Sequence, residues 1–106
     1  MRDVLKIRKL NDEFRRTLSD GQVFFTQGVR ALSPRTQIAA IKKIMEFDDF
    51  GGNPSDEHDF GFFNLSGRTI LFQIDCLEAQ SQRISANPDN SSKNRRILSV
   101  MLTDEC

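Results

Sequence analysis

The chain has no tryptophan and no tyrosine, one histidine and two cysteines among 106 residues. A lone histidine rules out a zinc site built on several imidazoles. Cys76 and Cys106 show no CxxC or other ligand spacing, so they read as thiols outside any metal site or disulfide framework. No apolar run approaches the roughly 20 residues a membrane helix needs. Nor does a signal-like apolar stretch follow Met1. The expected location is the cytoplasm. The phosphate loops GxGxxG and GxxxxGK followed by Ser or Thr are missing. So are the HExxH zinc helix, the DxDxDG calcium loop and the GxSxG elbow. With no other large aromatic type, the nine phenylalanines must supply the aromatic part of the core.

What is present fits one globular domain over residues 1–106. Apolar residues make up 38% and charged residues 28%, enough to fold without a metal or a disulfide. The zero net charge hides a division. Residues 1–43 carry ten Lys/Arg against four Asp/Glu, and residues 44–80 carry one against eight. Such a dipolar chain can steer oppositely charged partners to two faces, unless its halves neutralise each other on folding.

Asp3 can cap a first helix to about Leu18, with Val4, Ile7, Leu10, Asn11, Phe14 and Leu18 on its core side. Arg2, Lys6, Lys9 and Arg16 form a separate basic stripe, broken by Asp12 and Glu13. Arg15 and Arg16 suit the helix dipole. Val23, Phe24 and Phe25 predict a short strand buried on both faces. Ser33-Pro34 starts a second helix running to about Phe47, with an apolar stripe of Ile38, Ile41, Met45 and, less clearly, Ile44. Residues 51–54, Gly-Gly-Asn-Pro, must be loop. Phe60–Asn64 and Thr69–Asp75 read as a hairpin turning at Leu65–Arg68, with Ile70, Phe72 and Ile74 facing the core. Residues 78–96 read as a long polar loop. Residues 97–102 fit a closing strand or a short helix. The expected fold class is α+β, with two helices packed on a small, mostly antiparallel sheet in the order α-β-α-β-β-β.

The stretch Phe47–Gly61, FDDFGGNPSDEHDFG, holds the chemistry-bearing residues. Asp48, Asp49, Asp56, His58, Asp59 and, from the next strand, Asp75 are a donor set suited to Mg²⁺ or Mn²⁺. His58 beside carboxylates is also raw material for acid–base catalysis. The more ordinary reading is structural. Asp and Asn cap turns, His58 pins the loop to the hairpin, and Phe47, Phe50, Phe60 and Phe62 or Phe63 anchor it. Asp56, Glu57, His58 and Asp59 form its one chemically distinctive edge.

Five blocks carry a family resemblance in order: IRKLNDEFRRT, QVFFTQGV, FDDF…EHDFGFF, ILFQID and RILSVMLTDE. Together they span nearly the whole chain, which resembles a domain-of-unknown-function family of small, mostly alphaproteobacterial proteins, many encoded on mobile elements. The resemblance implies a bacterial protein and maps the family's polar pattern onto Asp48, Asp49, Glu57, His58, Asp59, Gly61 and Asp75. Family tyrosines are replaced by Cys76-Leu77 and Cys106, which suggests that those two places are neighbours in space. The leading expectation is a binding or accessory protein without catalytic activity or cofactor, an anti-defence modulator from a mobile element. Its partner would be a larger bacterial protein or nucleoprotein and not a membrane. Its contact residues would be Arg2, Lys6, Lys9 and Arg16, or Asp56, Glu57, His58 and Asp59. One alternative is a metal-assisted hydrolase or nuclease using the loop. Another is direct DNA binding through the first helix.

Overall fold

A computed structural model describes residues 3–19, 21–51, 56–78, 84 and 94–105. Helix α1 spans Val4–Thr17. Its Asp3 cap accepts a hydrogen bond from the Lys6 backbone N–H at 3.1 Å, satisfying one of the donors a helix start leaves open. The order then runs β1 (Gly21–Phe25), α2 (Gln27–Arg30), α3 (Pro34–Met45), β2 (Phe60–Leu65), β3 (Arg68–Glu78), β4 (Asn94–Leu102) and a 3₁₀ turn at Thr103–Glu105. Ser33 caps α3 through a bond from Thr36 N–H, with Pro34 inside the first turn.

The sheet order is β1-β4-β3-β2. β1 runs parallel to β4, and the other pairs are antiparallel. The fold is therefore α+β with a mostly antiparallel sheet, and α2 is a short helix beyond the two expected. Ser66 and Gly67 both have positive φ at the β2–β3 turn, with Leu65 paired to Arg68. That is the backbone a two-residue hairpin needs to match strand twist.

Residues 97–102 are strand. Leu98, Val100 and Leu102 alternate inward and register against Ile74, Phe72 and Ile70. Phe14 of α1, Val29 of α2 and Ala40 and Ile44 of α3 complete the core. Each large apolar side chain buried there contributes about 1.5–3 kcal/mol. Gly61 is required by packing. A Cβ at this position would sit 2.6 Å from the Phe72 ring and 2.9 Å from that of Phe47.

Several expectations are corrected. β1 is an edge strand, not one buried on both faces: Val23 is 40% and Phe24 54% exposed. Parallel pairing to β4 alone leaves its outer side without a neighbouring strand among the described residues. The apolar stripe of α3 centres on Ala40 and Ile44, while Ile38 is 71% exposed. The helix ends at Met45 rather than Phe47. Phe47, Phe50 and Phe63 pack on the core, whereas Phe60 and Phe62 point to the opposite, open sheet face. Arg15 is buried rather than a solvent-facing end charge. Arg2, Cys106, the Asn53-Pro54 turn and the Asn87–Ser92 centre of the long loop lie outside the described residues.

Candidate functional site

The loop at residues 56–59 folds back onto α1. His58 adopts a left-handed backbone, φ 57°, and its N–H donates to Asp56 Oδ1 at 2.7 Å. This Asx-type turn aims the imidazole at the helix. The ring stacks on Phe50, centroids 3.9 Å apart and planes 9° apart. Its Nδ1 lies 3.0 and 3.2 Å from the two Asp12 carboxylate oxygens.

Asp12 also accepts from Arg15, one helical turn on, at 2.7 Å. The Arg15 Nε donates to the Ile44 carbonyl at 3.0 Å, and a terminal nitrogen donates to Phe47 O at 2.9 Å. Those carbonyls lie at and just past the end of α3, where helix acceptors need outside partners. The guanidinium carbon sits 5.0 Å from the Phe50 ring centre. Arg15 therefore ties α1, the end of α3 and the loop together.

A second set of bonds runs alongside. Asn11 Nδ2 donates to Glu57 O at 3.0 Å, and Asn11 Oδ1 accepts from Arg96 Nε on β4 at 2.6 Å. Arg8 Nε donates to Asp56 O at 2.7 Å. The Ile74 N–H of β3 donates to Asp59 O at 2.7 Å. The sequence predicts that His58 pins the loop to the hairpin. Its side chain instead pins the loop to α1, and the backbone of Asp59 makes the hairpin contact.

Burial acts to raise the Asp12 pKa, but hydrogen bonds from Arg15 and His58 and their positive charge outweigh it and hold the carboxyl below its ordinary value. The ionised carboxylate takes Nδ1 of the His58 ring as a hydrogen-bond donor. Burial pulls the Arg96 pKa down, against the nearby charges of Cys76 and Glu57.

Among the described residues, no group of three or more His, Cys, Asp or Glu side chains is placed to hold a metal ion. Asp48 and Asp49 are exposed. Asp75 sits on β3 beside Gln73, whose amide donates to it at 3.3 Å. The set Asp48, Asp49, Asp56, His58, Asp59 and Asp75 is thus not gathered into one ligand cluster. Lys6, Lys9 and Arg16 are exposed on α1. Arg8, Asn11, Asp12, Arg15 and Arg96 are the members that sequence reasoning missed. One signal was available: Arg8, Asp12 and Arg15 share a helix face at spacings of four and three.

Among the described residues are two further open concavities, the first of which shares Arg96 with this site. One, of about 590 Å³, runs between α1 and β4 and includes Leu10, Glu13, Thr17, Asn94 and Arg96. The other, of about 570 Å³, follows the β1 edge and is lined by Leu18, Val23, Phe24, Phe25, Arg30 and Ile41. Near it, the Glu105 carboxylate accepts from Thr26 Oγ1, Gly28 N–H and Leu102 N–H. These bonds join the 3₁₀ turn to the β1–α2 junction and hold the Glu105 pKa below its ordinary value.

A family model described as "Protein of unknown function (DUF3768)" matches residues 25–105. The chain belongs to the DUF3768 family. The matched part includes the His58 loop, Arg96 and the Glu105 turn, while α1 with Asn11, Asp12 and Arg15 precedes it. No curated protein matches this DUF3768 chain, and no solved structure does. No helix among the described residues is long and apolar enough to cross a membrane.

Proposed function

We propose that this DUF3768 chain is a non-enzymatic binding protein that acts by protein–protein contact with a larger partner. The observation that carries this reading is the engagement of the acidic loop. The His58 ring, the Asp12 carboxylate and the loop carbonyls of residues 56, 57 and 59 are spent on holding the loop to α1 and β3. Catalysis needs such groups converging on a cleft, and here they converge on one another. Lys6, Lys9 and Arg16 stay in solvent, where charge sets encounter rate and orientation. The five-block resemblance supports a bacterial, cytoplasmic, mobile-element setting, and the small size and divided charge of the chain motivate the finer reading of an accessory or anti-defence factor.

Affinity capture from bacterial lysate at low and physiological salt tests the reading. Specific recovery of one protein or nucleoprotein at both salts is the expected result. Recovery of nothing specific would overturn it. So would tight Mg²⁺ or Mn²⁺ binding by calorimetry that disappears in His58→Ala and Asp56→Ala, which is the signature of the hydrolase alternative.

A further inference from the structure

We infer that the groove along β1 is a docking site for an extended segment of the partner in which apolar and acidic residues alternate; this deepens the protein-binding reading and rests on it. The sheet order leaves β1 at an edge. Thr26 N–H donates to Val100 O at 3.1 Å, so by the alternation of strand backbone Gln22 and Phe24 also turn their polar groups toward β4. Val23 and Phe25 then turn their N–H and C=O outward, which is the row an added strand pairs with.

The side chains beside this row suit an apolar guest. Val23 and Phe24 are 40% and 54% exposed, and the groove continues over Leu18 and Ile41. Ile38, 71% exposed, lies one turn before Ile41 on α3. Natural edges are commonly blunted by proline, inward charge or a covering element, and β1, Gly-Gln-Val-Phe-Phe, has no proline or charge of its own.

Charge selects the occupant. The groove lining holds one charged residue, Arg30. Residues 21–45, which build β1, α2 and α3, carry Arg30, Arg35, Lys42 and Lys43 and no Asp or Glu, against the one carboxylate of Glu105 bonded at Thr26 and Gly28. Pairing β1 with the β1 of a second copy would bring two such cationic regions together. An acidic strand relieves that repulsion, with Arg30 the charged residue of the groove lining. Apolar positions facing the helices would meet Val23, Leu18 and Ile41.

The test uses a fluorescein-labelled octapeptide of alternating valine and glutamate, read by anisotropy against the full chain. Wild type should bind it, and should bind the version with lysine for glutamate roughly tenfold more weakly or worse. Arg30→Glu should reverse that preference. Val23→Pro removes an outward N–H without touching the β4 ladder and should weaken binding, with circular dichroism unchanged. Equal affinity for the two peptides, no binding at millimolar peptide, or full affinity in a folded Val23→Pro variant would each overturn the proposal. A concentration-dependent dimer abolished by Val23→Pro would also overturn it, by giving the edge to a second copy. If a lysate partner is captured equally by wild type, Arg30→Glu and Val23→Pro, this site is wrong while the binding function stands. Absence of any captured partner contradicts the function itself.

Discussion

The α1–loop junction and the β1 edge use their backbone polar groups in opposite ways. At the junction, loop carbonyls of residues 56, 57 and 59 receive donors from Arg8, Asn11 and the β3 backbone. At the edge, β1 presents an outward row with no strand partner among the described residues. Asp12, Asp56, Glu57, Asp59 and the only histidine lie in the closed region, and apolar side chains with Arg30 line the open one. Chemical richness in a sequence therefore need not coincide with availability in the fold. Polar groups that bond one another stabilise the chain and leave little for a ligand. A plain run such as Val23-Phe24-Phe25 can hold the unused capacity.

The largest expected effect comes from breaking the junction at Arg15, which is 1% exposed. Arg15→Met removes the donor to Ile44 O, Phe47 O and Asp12 together, and should cost roughly 3–5 kcal/mol in denaturant unfolding, as loss of one buried ionic partner does. A cost below 1 kcal/mol would show that the carbonyls find other donors. Next in size is Gly61→Ala, which drives a methyl group into the Phe72 and Phe47 rings and should cost about 1–3 kcal/mol. Asn11→Ala should cost about 1–3 kcal/mol by removing the donor to Glu57 O and the acceptor of Arg96. In both variants β1-edge binding should persist wherever the chain remains folded.

Acid titration sharpens the same contrast. Because the folded-state pKa of Asp12 is depressed, its contribution is present above the unfolded value of roughly 3.9 and is lost as pH falls through the folded one. The stability gap between wild type and Asp12→Asn should be open at neutral pH and close below about pH 4. A gap constant down to pH 2 would mean that Asp12 charge plays no part. The smallest effect is expected at solvent-facing Lys6, where Lys6→Ala should change stability by no more than about 0.5 kcal/mol.

Much of the fold was legible because it rests on local rules. Asp3 and Ser33-Pro34 mark helix starts, the Ser66-Gly67 turn marks a hairpin, and Ile70, Phe72 and Ile74 alternate at the strand period. Other features depend on which elements become neighbours. Asp12 meets His58 across 46 positions of sequence, and nothing local to either residue announces the pair. Arg15 reads as an end charge until α3 delivers the Ile44 and Phe47 carbonyls to it. β1 looks doubly buried by composition, yet its exposure follows from lying outside β4. In α3 the 3.6-residue period allows stripes one position apart, and contact with the sheet selects Ala40 and Ile44 over Ile38.

Native-state amide hydrogen exchange tests the contrast most directly. In the isolated chain, Val23 and Phe25 amides should exchange far faster than that of Phe24, which bonds to β4, and the His58 amide should be protected by Asp56. Adding the acidic octapeptide should slow Val23 and Phe25 and leave His58 unchanged. Val23 and Phe25 amides as protected as Phe24 without peptide, or a His58 amide that responds to the peptide instead, would contradict the division into a closed loop and an open edge.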